Sequence, residues 1–235
     1  MKLEIVNLTK SYGEKEVLKG IDFTFEQGKI YGLLGRNGAG KTTFFNALND
    51  DIDVDSGSFF IEDEYGKNKL KFSDIGYVVS TPVVPEFLTA KEFLSFFIEI
   101  NEERIDFKRS IDEYFDIVKI EKEDQNKLLK EYSQGMKNKM QLLINIIANP
   151  KIILLDEPLT SLDIVVQEEM KKLLKELKKD HIIIFSTHIL ELAMDLCDDI
   201  VILNHKKLEI VKKDNLNTKK YKDKIINCLK DVNNE

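Results

Sequence analysis

The segment Gly35-Arg-Asn-Gly-Ala-Gly-Lys-Thr-Thr43 follows the apolar run Lys29–Leu34 and opens a new helical pattern. It constrains the chain more than any other feature, because a strand that passes into a helix through such a glycine-rich turn is the frame of a phosphate-binding loop. Gly35, Gly38 and Gly40 let backbone N–H groups close around phosphate oxygens, with Asn37, Ala39 and Thr43 completing the loop. Lys41 adds a point charge, the Thr42 hydroxyl is suited to ligate Mg²⁺, and the helix from about Thr42 to Asn49 aims its positive end at the same anion. The expected ligand is a nucleoside triphosphate.

At 235 residues the chain is long enough to bury a core without disulfides, as one large domain or one domain with a subdomain. Hydrophobic content of 43% and charged content of 33% suit a folded protein rather than a disordered one. A net charge of −7 argues against nucleic acid as main partner, since phosphate backbones are bound by an excess of Lys and Arg. No apolar stretch approaches the roughly 18–20 residues that span a bilayer; the longest, Leu142–Ala148, contains Asn145. The start MKLEIVNLTK reads as strand and lacks the apolar segment of a signal peptide. Cys197 and Cys228 form no CxxC and are expected to be reduced thiols in a cytoplasm, with no disulfide and no metal site.

Alternation of apolar and polar residues predicts strands at Leu3–Tyr12 and Val17–Phe25 about the Gly13–Glu16 turn. Ser58–Glu62 and Ile75–Val79 read as further strands, joined by a polar connection at Tyr65–Lys71. From Pro82 the pattern is helical. Thr89-Ala-Lys-Glu92 is a capping box, and Phe93, Phe96, Phe97 and Ile100 mark an expected buried face behind it. Helices are expected at Ser110–Ile120 and Gln134–Ala148, ended by Asn149-Pro150. Strand and helix then alternate: Ile152–Leu155, Ile164–Lys179, His181–Ser186, Ile189–Leu196 and Ile200–Leu203, followed by a hairpin strand at Lys206–Lys213 and a short helix at Tyr221–Lys230. βαβ units interrupted by an all-helical insert imply an α/β fold with a mainly parallel core sheet.

Ile152-Ile-Leu-Leu-Asp156-Glu157 delivers two carboxylates at a strand's carboxyl end, where ligands bind in open α/β sheets. Asp156 is placed to hold a magnesium shell, and Glu157 to orient or deprotonate an attacking water. Tyr132-Ser-Gln-Gly-Met136 starts a helix with Ser133 at the N-cap; on spacing alone an ordinary capping serine explains it, and an anion site at the helix start is the other reading. Ser161-Leu-Asp163 and, after another strand, Ser186-Thr-His188 follow in order.

By the order and spacing of these five motifs, the chain resembles the ATP-binding cassette ATPases, the nucleotide-binding subunits of ABC transporters, over roughly Leu3 to Leu208. The resemblance implies a P-loop NTPase with an N-terminal antiparallel β-subdomain and an inserted α-helical subdomain. It divides a single domain of 1–235 into a nucleotide-binding core with the β-subdomain (1–81 and 150–213), a helical signature subdomain (82–149) and a C-terminal helix and tail (214–235). It further implies ATP and Mg²⁺ as ligands, and a head-to-tail dimer with a second copy or a homologous ATPase that sandwiches two ATP molecules. On that pattern Ser133, Gln134 and Gly135 meet the partner's ATP in trans, Asp163 belongs to a loop at the dimer interface, and Glu157 and His188 act on the γ-phosphate. Tyr12 matches an aromatic that stacks on adenine, although a tyrosine filling a sheet edge is also common. The implied third partner is an integral-membrane permease, which seats the chain on the cytoplasmic face of the cell membrane. Phe87 and Leu88 are candidate docking residues there, core packing being the commoner fate of such positions.

Two departures stand out. Ile75-Gly-Tyr-Val-Val-Ser80 ends in serine where the family usually has a glutamine contacting Mg²⁺ and water, which leaves two outcomes open: a bridging water substitutes, or turnover slows. Tyr-Ser-Gln-Gly-Met-Lys replaces the commoner Leu-Ser-Gly-Gly-Gln and is similar to ATPases of drug, peptide and bacteriocin-immunity exporters, pointing to export. The alternatives are a soluble cassette ATPase and a nucleotide-dependent regulatory module with low turnover.

Overall fold

The computed structural model describes residues 1–105, 109–160, 162–212 and 218–230. Two strands, β1 (Lys2–Tyr12) and β2 (Lys15–Glu26), form an antiparallel hairpin, and β3 (Ile30–Leu34) runs through the glycine loop into α1 (Lys41–Leu48). A second hairpin, β4 (Ser56–Asp63) with β5 (Gly66–Lys69), pairs onto β1 and completes an antiparallel sheet of order β2-β1-β4-β5. After β6 (Ile75–Val78) come, among the described residues, the α-helices α2 (Ala90–Ile100), α3 (Ile111–Val118), the short α4 (Lys122–Gln125) and α5 (Gln134–Ala148). The chain continues as β7 (Ile152–Asp156), α6 (Ile164–Leu177), β8 (Ile182–Thr187), α7 (Leu190–Leu196), β9 (Asp199–Asn204), β10 (Lys207–Lys212) and α8 (Thr218–Lys230).

The second sheet has the order β10-β9-β3-β8-β7-β6 and is parallel except for β10, which returns antiparallel to β9. Its central strands are buried on both faces, which is why they read as continuous apolar runs. Successive side chains point to opposite faces. Tyr31, Leu33, Ile152, Leu154, Ile182 and Ile184 therefore pack with Phe44 and Phe45 of α1 and Phe25 of the antiparallel sheet. Their neighbours Ile30, Leu34, Ile153, Leu155, Ile183 and Phe185 pack with Met170 and Leu174 of α6, Leu192 and Leu196 of α7, and Ile225 of α8. Strand order brings the carboxyl ends of β3, β8 and β7 side by side, and this juxtaposition builds the site.

The helical insert has its own apolar cluster, including Leu94, Phe115, Leu129, Met140 and Leu143. The expected capping box is present: Thr89 Oγ1 accepts from the Glu92 N–H at 3.2 Å and Glu92 Oε2 accepts from the Thr89 N–H at 2.8 Å. Ser110 and Glu113 repeat it at the start of α3. The expected buried face of α2 is corrected. Ala90 and Leu94 are fully buried, whereas Phe96 is 54% and Ile100 61% exposed, with Phe93 and Phe97 between these extremes. Apolar residues cover more than half of the circumference of this helix, with Lys91, Glu92, Ser95 and Glu99 on the remainder, so their spacing alone does not select which part of that wide stripe meets α3 and α5. A second difference is β5: Gly-Lys-Asn-Lys carries no apolar side chain and stays exposed along its length, so the segment expected as a plain connection is an edge strand held by backbone pairing to β4.

Several contacts tie the insert to the rest, two of them between buried or closely packed groups of α5 and the core. A Cβ on Gly76 in β6 would collide with the Asn145 side chain, so glycine lets α5 lie directly on the strand. Lys139 of α5, 6% exposed, donates to Glu169 Oε2 of α6 at 2.8 Å and to the Lys119 carbonyl at 3.1 Å. Burial works against the Glu169 carboxylate, yet its hydrogen bonds and the charges of Lys139 and Lys119 hold its pKa below the ordinary glutamate value.

Truncating Leu94 to alanine is expected to lower the unfolding free energy by about 2–5 kcal/mol. Phe96→Ala is expected to change it by no more than about 0.5 kcal/mol. Urea unfolding of the two variants checks this division of the helix.

Candidate functional site

Tyr12, Lys15, Val17, Asn37, Gly38, Gly40, Lys41, Thr42, Thr43, Ser80, Asp156 and Glu157 line a cavity of 530 Å³ at the carboxyl ends of β3 and β7. Gly40 stands at the start of α1 with φ +106°, and a Cβ there would lie 2.7 Å from Val17 Cγ1. Neither the backbone angle nor the space admits another residue. No side chain caps α1 and no acid sits in its first turn, so the helix itself supplies no counter-charge to the positive end that it turns to the cavity. Lys41 is 7% exposed and folds back on its own loop, its Nζ donating to the Gly35 carbonyl at 2.9 Å and to the Arg36 carbonyl at 3.4 Å. Burial lowers its pKa, while Glu157 and then Asp156 pull in the opposite direction. The Ala39 N–H donates to the Arg36 carbonyl at 3.1 Å, which closes the turn.

The acids are held in a chain of short contacts. Thr42 Oγ1 donates to Asp156 Oδ2 at 2.9 Å, and the Ser186 hydroxyl donates to Asp156 Oδ1. Glu157 follows with φ +49°, a left-handed conformation that glutamate seldom adopts, and its N–H donates to the Ser186 carbonyl at 3.2 Å and hydroxyl at 3.1 Å. Its carboxylate accepts from Thr160 Oγ1 on Oε2 at 2.9 Å. His188 Nδ1 lies 2.8 Å from Oε1, a contact in which an ionised carboxylate accepts from Nδ1–H and which leaves Nε2 for a second partner. Tyr12, at the end of β1, lines the cavity and is 49% exposed, with Lys10 Nζ 5.0 Å from its ring centroid.

The remaining sequence-derived positions lie outside this cavity. Ser133 Oγ accepts from the Met136 N–H at 3.2 Å, capping α5, and Gly135 packs so closely against Leu162 and Val166 that an added Cβ would lie 3.4 Å from each. Gln134 Nε2 donates to the Ser80 carbonyl at 3.4 Å and so bridges the signature segment to the cavity wall. Asp163 caps α6, accepting from the N–H groups of Val165 and Val166 at 3.0 Å each. Thr160 and the wall residues Lys15 and Val17 carry no sequence signal for a place in the site, whereas Ser186 carries one, standing in the Ser-Thr-His segment at the end of an expected strand.

Residues 18–160 match the family model described as ABC transporter. The chain belongs to the ABC transporter family. It is similar to an uncharacterised ABC transporter ATP-binding protein of Methanocaldococcus jannaschii, 36% identical over 208 residues that cover 88% of this chain and 75% of the relative. It is also similar to the bacitracin transport ATP-binding protein of Bacillus licheniformis, 37% identical over 210 residues covering 88% and 68%. Among solved structures, an ATP-binding cassette described as dimeric, in a post-hydrolysis state with ADP and Pi, superposes with a TM-score of 0.75 at 23% identity, covering 91% of this chain and all of that one. The ABC transporter family membership makes this an ATP-binding subunit with the mixed α/β fold of P-loop cassettes. Among the described residues no helix is long and apolar enough to cross a membrane.

Gly40→Ala is expected to weaken ATP binding by roughly 5- to 150-fold, since strain of about 1–3 kcal/mol falls on the loop that must wrap the phosphates. Titration with a fluorescent ATP analogue measures it.

Proposed function

We propose that this subunit hydrolyses ATP and thereby drives a separate membrane permease, acting as an exporter component. The observation that carries the reading is the convergence of Lys41, Thr42, Asp156 and Glu157 on one cavity, with His188 bonded to the same glutamate. The Thr42 hydroxyl and Asp156 carboxylate, in contact at 2.9 Å, are a hard-oxygen pair of the kind that binds Mg²⁺ through few protein ligands, the rest coming from water and nucleotide phosphates. When bound there, the ion would neutralise phosphate charge.

The chain's own residues supply the remaining steps. Lys41 exchanges its contacts with the Gly35 and Arg36 carbonyls for phosphate oxygens, and the N-terminus of α1 stabilises the same charge. Glu157 orients a water for in-line attack and takes up its proton, while His188, bonded through Nδ1, fixes the carboxylate and keeps Nε2 for the γ-phosphate. Tyr12 offers its exposed ring for stacking against adenine.

Ser133, Gln134, Gly135 and Asp163 lie off the cavity, which suits service to a second ATPase in a head-to-tail dimer closed by ATP and opened when the γ-phosphate is lost. The permease-facing surface is assigned to the helical insert, where Val83 is 75%, Phe87 84%, Phe96 54% and Ile100 61% exposed. Such a subunit would sit peripherally on the cytoplasmic face of the cell membrane. The exporter direction rests on the Ser-Gln-Gly-Met-Lys signature and on the named transport role of the bacitracin relative.

Glu157→Gln is expected to retain ATP binding and lower steady-state phosphate release by roughly a hundredfold or more, with a shift from monomer to dimer in size-exclusion chromatography with ATP. Wild-type phosphate release no greater than that of the variant would favour a nucleotide-dependent regulatory module instead. Lys41→Ala is expected to abolish ATP binding in calorimetry, and undiminished binding would overturn the assignment of the loop.

A further inference from the structure

The parallel register of β7 and β8 places Ser186 directly beside Asp156, after apolar pairs such as Leu155 with Phe185. Ser186 is fully buried and Asp156 is 5% exposed. The serine hydroxyl has two partners at this level of the sheet: it donates to Asp156 Oδ1 and accepts the Glu157 N–H at 3.1 Å. Thr42 occupies the other carboxylate oxygen, Oδ2. Rotation of the Asp156 carboxylate is thus blocked by the Ser186 hydroxyl on Oδ1, and Oδ2, the oxygen that meets Thr42, is the one left to meet a cation. The same hydroxyl also anchors the backbone of Glu157 in its left-handed conformation, which fixes where its carboxylate starts.

We propose that Ser186 is a positioning residue for both acids, selecting the metal-facing oxygen of Asp156 and locking the turn that presents Glu157. This rests on the ATP-hydrolysis reading above. A serine that merely satisfies buried polar groups would affect stability, whereas a positioning serine acts on cation affinity and on turnover. An outer hydroxyl of this kind orients a metal-binding carboxylate, and its loss generally costs affinity without removing a ligand.

The full chain and its Ser186→Ala and Ser186→Thr variants separate the two. Mn²⁺ serves as the probe, its affinity read by electron paramagnetic resonance with a non-hydrolysable ATP analogue bound; ATP affinity in EDTA and kcat are measured alongside. For Ser186→Ala the expected result is a roughly 10- to 100-fold loss of Mn²⁺ affinity and a lowered kcat, with metal-free ATP affinity unchanged. Ser186→Thr, which keeps the hydroxyl, is expected to restore most of both. Wild-type Mn²⁺ affinity and kcat in Ser186→Ala would overturn the proposal, as would equal losses in the two variants or a folding failure confined to alanine. A wild-type protein that binds Mn²⁺ and nucleotide without releasing phosphate counts against hydrolysis alone, and the manganese comparison still decides the role of the serine.

Discussion

The Thr42 hydroxyl bonded to Asp156 Oδ2 joins the loop after β3 to the end of β7, across the intervening strand β8. Ser186, on β8 itself, holds the other oxygen of the same carboxylate. Three adjacent strand ends are therefore stitched through one side chain, and every functional group of the cavity is placed relative to it. Lys41 lies one residue before Thr42, Glu157 one residue after Asp156, and His188 two residues after Ser186. A buried carboxylate is costly unless its oxygens are satisfied, and here hydroxyl donors satisfy both.

The apolar layers on either side of the central sheet make this arrangement stiff. Because β3, β7 and β8 bury alternate residues in two different clusters, a slip of one residue in any of them would exchange the contents of both. The polar ends are thus registered by the packing of residues such as Leu154 and Phe185, which take no part in the chemistry. Strain at Glu157 is tolerated at the rim of so well-determined a sheet.

The glycine loop, the buried strands and the Asp156-Glu157 pair are legible in sequence because each depends on local residue order. The capping box at Thr89 is legible for the same reason: both halves of the contact lie within four residues. What escapes a linear reading depends on tertiary placement. β5 has no apolar side chain to announce it and exists by pairing to β4. The exposed sides of Phe96 and Ile100 are decided by where α3 and α5 lie, not by the spacing along α2. Thr160 reaches Glu157 through the turn after β7, and Ser186 reaches Asp156 through strand register, neither of which a linear pattern displays.

The Lys139–Glu169 pair between α5 and α6 makes two distant positions answer to each other. Replacing Glu169 alone leaves the buried Lys139 ammonium with only the Lys119 carbonyl, and stranding a buried charge costs up to about 3–5 kcal/mol, whereas replacing Lys139 alone leaves Glu169 to the more exposed Lys119. Replacement of both by apolar residues of similar volume leaves no such charge and is often close to neutral. The two positions, 30 residues apart in sequence, are thus energetically coupled, and the effects of changing them are not additive.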